Sequence, residues 1–187
     1  QQPVIVHIDL SYFQPLYKNE IATPLLDIIF NTLTTLKKMH LKTLAVTFSY
    51  GHIDSQIGLD VRFLGDIVSA FIEDPALMDQ PIPLNWQRQR DSLYLANFFQ
   101  KEKVRELFEA QEKDAADLGW VKFNLYRSAA DNKQGAQALA YLAEAVRLDS
   151  MYALEYDELS NMAYEKQRPE EALRMLKLAA DVFHDDP

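Results

Sequence analysis

The sequence contains no cysteine among its 187 residues. Disulfides, cysteine-ligated zinc ribbons and thiol nucleophiles are therefore excluded for this chain. A chain without cysteine suits a reducing cytosol and a periplasm equally, and we take the cytoplasm as the working expectation. No run of about 18 apolar residues exists that could span a bilayer, so the sequence predicts a soluble protein.

Positive charge and glycine are also scarce. The chain has 19 basic and 28 acidic side chains, which gives a formal net charge of -9. Nucleic acid and anionic membrane surfaces are disfavoured as partners, because both require clustered Lys and Arg. Among the five glycines, Gly51 and Gly58 lie seven residues apart with no following Lys-Ser or Lys-Thr, so a phosphate-binding loop is not indicated.

Residues 1–74 have the pattern of an α/β segment. A nearly continuous β-branched run opens the chain and is typical of a strand buried on both faces of a parallel sheet. A helical pattern, a second buried strand and a second helical pattern follow it. These segments are residues 4–10 (strand), 24–39 (helix), 44–48 (strand) and 59–72 (helix). The predicted fold class is therefore a β-α-β-α fragment with a parallel sheet.

Two strands make too small a sheet to stand alone. We therefore expect further strands from residues upstream of Gln1 or from another chain. An unpaired sheet edge pairs readily with another edge, so the same pattern would permit a homodimer.

A proline-rich connector is predicted over residues 75–84, where Pro75, Pro81 and Pro83 disfavour regular helix. Few helix breakers occur after it. The remaining residues, 85–187, are therefore predicted to form an all-helical region.

The second half of the chain contains a repeat with a period of 34 residues. Writing residues 138–150 over residues 172–184 aligns an alanine, a leucine and a second alanine in both copies. Small alanines let two antiparallel helices approach, while larger side chains fill the space between them. The residues predicted to make this packing are Ala138, Leu142, Ala145, Tyr156, Leu159, Ala172, Leu176 and Ala179.

This period, the Ala-x3-Leu-x2-Ala spacing and the Pro-Glu-Glu-Ala turn at residues 169–172 resemble tetratricopeptide repeats. The resemblance covers about residues 119–187. Such repeats imply the binding of a protein or peptide partner on a concave surface. The expected role is therefore protein–protein interaction or scaffolding. A helical buttress packed on the α/β part is the alternative interpretation of the same pattern.

Candidate chemistry lies at the end of the first strand. Alternation places His7, Asp9 and Ser11 on one side, near the strand end where α/β sites form. The His-Ile-Asp-Leu-x-Tyr-Phe run over residues 7–13 is followed by a helix, a Leu-Ala-Val-Thr-Phe strand and a Gly-containing loop. Together, over about residues 4–73, these segments resemble the late strands of the arginase and deacetylase superfamily, whose comparable strand presents an Asp-x-Asp metal pair. That resemblance implies Asp9 as a ligand for Mn, Fe, Co or Zn, with Ser11 in the place of the second aspartate.

A divergent metal-dependent hydrolase acting on a C–N bond is therefore the alternative function. In that case His52 and Asp54, in the loop after the second strand, could supply a base and its orienting carboxylate. A lone loop histidine is more often a solvated side chain. A metal enzyme needs at least three ligands that converge on one point, and a scaffold needs none.

Overall fold

The computed structural model describes residues 2–13, 25–52, 55–56, 58–98, 100–115 and 118–184. The chain forms two compact units, Gln1–Lys103 and Val104–Pro187. This boundary lies later in the chain than the connector predicted at residues 75–84. No helix in the described ranges is long and apolar enough to cross a membrane.

The first unit begins with two parallel strands, β1 (Val4–Asp9) and β2 (Thr43–Ser49), with helix α1 (Leu25–Lys38) between them in sequence. The paired register runs from Ile5 opposite Ala45 to Asp9 opposite Ser49. The expected α/β start of the chain is therefore confirmed.

The prediction that the first strand is buried on both faces is wrong for the described residues. Ile8 is buried in β1, whereas Ile5, the second residue of that strand, is exposed, as is Leu44 in β2. Val6, Ile8 and Val46 line one cavity together with residues of the neighbouring helices. The helices thus lie against one face of the sheet, and the residues that alternate with these three face away from them.

Two further helices complete the described first unit. Helix α2 (Phe63–Glu73) follows a short antiparallel pair, β3 (Gly51–His52) and β4 (Ser55–Gln56), and helix α3 (Leu84–Asn97) follows a 3₁₀ turn. Three aromatic rings connect these helices: Phe71 meets Phe30 with ring centroids 4.5 Å apart and Trp86 with centroids 5.3 Å apart, both edge to face. These contacts explain why α3 belongs to the first unit.

The second unit consists of helices. Helix α4 begins just before the unit boundary, and two helical hairpins, α5–α6 and α7–α8, follow it. A 3₁₀ turn at Ser150–Ala153 joins the hairpins. The helices are α4 (Lys101–Asp114), α5 (Gly119–Asp131), α6 (Gly135–Leu148), α7 (Leu154–Glu165) and α8 (Pro169–Phe183). The all-helical expectation for this part of the chain is thus met.

The 34-residue period is visible in the backbone. The turn inside each hairpin contains one residue in the left-handed region, Lys133 with φ 60° and Gln167 with φ 58°. The residue after each donates its N–H to a carbonyl five positions earlier, at 2.9 Å in both hairpins. A left-handed residue with this hydrogen bond is a standard way to end a helix. The two hairpins therefore repeat the same turn 34 residues apart.

The predicted packing residues are mostly buried. Leu159 is half-buried, and six of the others are buried: Ala138, Leu142, Ala145, Tyr156, Ala172 and Ala179. Leu176 departs from the prediction, because its residue surface is 48% exposed whereas that of its counterpart Leu142 is 0% exposed. The turn Ser150–Ala153, which follows the first hairpin, packs against α6.

Candidate functional site

Asp9 ends strand β1 and holds the turn that follows it. One oxygen of its carboxylate, Oδ1, accepts hydrogen bonds from the backbone N–H of Ser11 at 3.0 Å and from the Ser11 hydroxyl at 2.7 Å. This is the geometry of a capping aspartate, which satisfies a backbone donor at the start of a helical turn. The structure therefore brings Asp9 and Ser11 together, as the alternation suggested, in an arrangement that stabilises the turn.

His7 lies in a polar row across the two strands. Its Nδ1 is 3.0 Å from the hydroxyl oxygen of Thr47, and its Nε2 is 3.5 Å from the hydroxyl oxygen of Ser49. The parallel register, which sets His7 opposite Thr47, produces this row. Sequence reasoning missed the role of Thr47, because the register of two strands cannot be read from either strand alone. The partner of Nδ1 is a hydroxyl, so this row lacks the carboxylate that orients the histidine of a hydrolase triad.

The predicted metal and catalytic residues do not form a metal centre within the described ranges. No group of three or more His, Asp or Glu side chains that could hold a metal ion occurs there. Asp54 and the side chain of His52 lie outside the described residues, so the predicted base and its carboxylate are not located. Asp9, with Ser11 as its neighbour, is the part of the predicted site that the structure places.

Lys122 is the centre of an ion-pair cluster in the second unit. Its ammonium lies 2.7 Å from a carboxylate oxygen of Glu112 in α4 and 2.6 Å from one of Glu144 in α6. Burial is the largest single influence on the pKa of Lys122 and lowers it, but the hydrogen bonds and charges of the two glutamates together outweigh burial and raise the pKa. The cluster therefore stays charged and joins three helices.

An aromatic group joins the two hairpins. The rings of Phe123 in α5 and Tyr152 in the connecting turn stack with centroids 4.7 Å apart. One turn along α5, the Tyr126 hydroxyl donates a hydrogen bond of 2.7 Å to the carboxylate of Glu155 in α7. Burial, followed by this hydrogen bond, raises the pKa of Tyr126. The first hairpin is thus fixed to the second by stacking and by a charged acceptor.

Helix α5 is enclosed on all sides. Seven consecutive residues, Trp120–Tyr126, are buried, although successive residues of a helix point in different directions around its axis. Contacts already described come from α4, α6 and the start of α7. These seven residues therefore lie in the interior of the second unit.

An apolar strip lies open on the last helix. Leu173 is 69% exposed and Leu176 is 48% exposed, and Ala180 continues the strip one turn later. We call Leu173, Leu176 and Ala180 the α8 strip. The counterparts 34 residues earlier are Leu139, Leu142 and Val146, which are all buried or half-buried. The same helix face is therefore covered in the first hairpin and exposed in the second.

Comparisons with known proteins give no relative. No family model matches the chain. No curated protein and no solved structure matches it either.

Proposed function

We propose that the protein is a protein-interaction module that binds a helical segment of its partner on the α8 strip. One observation supports this most: Leu142 is fully covered in the first hairpin, whereas the equivalent Leu176 is about half exposed. A leucine that is exposed in one copy of a repeat and buried at the equivalent position of the other copy indicates an interaction surface. The tetratricopeptide-like interpretation of the repeat is part of the same proposal.

The strip is a better docking surface than the inner side of the array. Over Trp120–Tyr126 helix α5 offers no open face, since all seven residues are buried. Contiguous exposed leucines on a surface helix are by contrast a common feature of interaction sites. Full burial of a fully exposed leucine side chain contributes about 1.5–3 kcal/mol. Leu173 and Leu176, which are 69% and 48% exposed, would each contribute the corresponding part of that when covered.

The repeat itself indicates the chemistry of the bound helix. The segment that follows the first hairpin carries Tyr152, Ala153 and Tyr156, all buried, and its turn Ser150–Ala153 packs against α6. A small residue between two aromatic ones lets a helix approach closely while the rings fill the space at its sides. We therefore propose an amphipathic helix with an aromatic-small-x-x-aromatic face as the occupant, in the helix-in-groove mode of peptide recognition.

The test uses a labelled peptide with the sequence of residues 149–165 and the full-length protein, followed by fluorescence anisotropy. We expect micromolar binding, because an isolated helix of this length is marginal in water and must order on binding. Leu176→Asp should weaken the affinity at least about tenfold. Arg174→Asp is the matched control, since Arg174 is exposed on the same helix outside the strip.

Two results would contradict the proposal. Equal peptide affinity in Leu176→Asp and Arg174→Asp would show that the strip is not the site. A dimer in analytical ultracentrifugation that dissociates in Leu176→Asp alone would identify a second copy of this chain, and not a partner helix, as the occupant. Circular dichroism of each variant establishes that the helices are retained.

A further inference from the structure

We infer that the first unit holds a small-molecule site that takes an apolar carboxylate, such as a medium-chain fatty acid. A cavity of about 390 Å³ lies between the β1–β2 sheet, the end of α1 and the end of α2. Small-molecule pockets typically measure about 300–1,000 Å³ and have mostly apolar walls with a few placed polar groups. This cavity has the size and the composition of such a pocket.

Most of the cavity wall is apolar. Ten of its thirteen lining residues carry apolar side chains, including Val46 of the sheet, Leu36 of α1 and Ile72 of α2. These three are half-buried, so part of each wall remains in contact with water. A hydrocarbon chain in the cavity would remove that surface from water, which is favourable by about 25 cal/mol per Å².

The polar groups of the cavity lie together at one place. Lys37, His40 and Thr43 line it near the end of α1, and Lys38 and Lys42 lie in the same short stretch of sequence. His40 has a left-handed backbone with φ 47°, which ends the helix and turns the chain toward β2. The sequence thus concentrates positive charge beside an apolar cavity, and an amphiphile with one negative group complements both.

Two features disfavour the binding of an anion in this cavity, and both are weak. The carboxylate of Asp79 lies 3.8 Å from the Lys37 ammonium, but the Asp79 side chain is 81% exposed, so this pair is loose and screened by water. The C-terminal end of α1 carries partial negative charge, which Lys37 and Lys38 in its last turn offset. A bound carboxylate would compete with Asp79 for Lys37.

The inference is tested by calorimetric titration of the full-length protein with decanoate and with decan-1-ol. These probes share the alkyl chain and differ in charge. We expect decanoate to bind up to about fivefold more tightly, the effect of one partly exposed ion pair. Lys37→Gln should remove this preference, and Lys38→Gln, the adjacent lysine that does not line the cavity, should keep it. Val46→Phe should weaken both probes by filling the cavity.

Contrary results would overturn either the choice of ligand or the site itself. Equal affinity for decanoate and decan-1-ol, or equal behaviour of Lys37→Gln and Lys38→Gln, would overturn the choice of an anionic ligand. Absence of binding by both probes would overturn the site. Binding to vesicles of anionic phospholipid without binding to free decanoate would show a membrane surface as the target instead. If Val46→Phe does not fold, the two lysine variants, which change exposed side chains, still decide the question.

Discussion

Replacing Lys122 by Met should destabilise the second unit more than the same substitution at any exposed lysine of that unit. The Lys122 side chain is 10% exposed and bridges Glu112 and Glu144, whose side chains are 32% and 46% exposed. Methionine matches the length of the lysine stem but leaves two carboxylates without their shared cation. The loss is therefore electrostatic and not a loss of packing volume.

The magnitude lies between two known limits. Breaking a fully buried ion pair costs about 3–5 kcal/mol. An exposed pair contributes about 0–1 kcal/mol. Because the lysine is buried while both carboxylates retain contact with water, we expect Lys122→Met to lower the free energy of unfolding by about 2 kcal/mol. In a chain of this size that corresponds to a fall in Tm of roughly 4–8 °C.

The assay is urea denaturation of the full-length protein, followed by circular dichroism, with Lys113→Met as the matched control on an exposed position of α4. Adding Glu112→Gln and Glu144→Gln to Lys122→Met should recover part of the loss, since the stranded charges are removed. Equal stability of Lys122→Met and Lys113→Met would refute the reasoning that the cluster stabilises the unit.

The cluster also predicts a pH dependence. The pKa of Lys122 in the folded protein is raised above its ordinary value of 10.5. The stabilisation is therefore fully present below pH 10.5 and is lost as the pH rises through the folded-state pKa. The difference in stability between the wild-type protein and Lys122→Met should be constant from neutral pH to about pH 10 and should shrink at higher pH.

Three further predictions concern the backbone turn, the repeat packing and the strand end. Gln167→Gly should raise the free energy of unfolding by about 0.5–1 kcal/mol, because glycine adopts the left-handed conformation without strain. The control Lys166→Gly, at the adjacent position, should lower the free energy of unfolding. Ala172→Trp should lower Tm, because overpacking at this buried position costs about 1–3 kcal/mol. The control Ala143→Trp, at an exposed position, should change Tm little. Equal Tm values for the two variants would contradict the repeat packing. Asp9→Ala should lower the free energy of unfolding by about 1 kcal/mol, because it removes the hydrogen bonds to Ser11. The metal content of the protein, measured by mass spectrometry, should not change. Stoichiometric Mn, Fe, Co or Zn that is lost in Asp9→Ala would favour the hydrolase.

The features that follow from local patterns could be predicted from the sequence. The β-branched run before Asp9, the helical region and the 34-residue offset between Ala138 and Ala172 each depend on residues close together or on a simple repeat. The exposure of Leu176 could not be predicted, because it depends on whether another segment covers the helix. Leu142 has the same local sequence pattern and is buried, and the turn that follows its helix packs against that helix.

The candidate site was predictable only in part for the same reason. Alternation along one strand correctly brought Asp9 close to Ser11. The partner of His7 comes from the other strand, and pairing register sets it. The cavity near Lys37 combines residues from two strands and two helices that are far apart in sequence, so no local motif marks it.

The enclosure of α5 determines how the second unit should unfold. An ordinary repeat array can fray from an end, because each repeat contacts only its neighbours. Here the amide hydrogens of Trp120–Tyr126 can reach solvent only when the helices around them separate. Their exchange with deuterium should therefore be the slowest in the unit and should report global opening, with α8 exchanging well before them. The second half of the chain would then behave as one cooperative unit and not as a linear stack of independent hairpins.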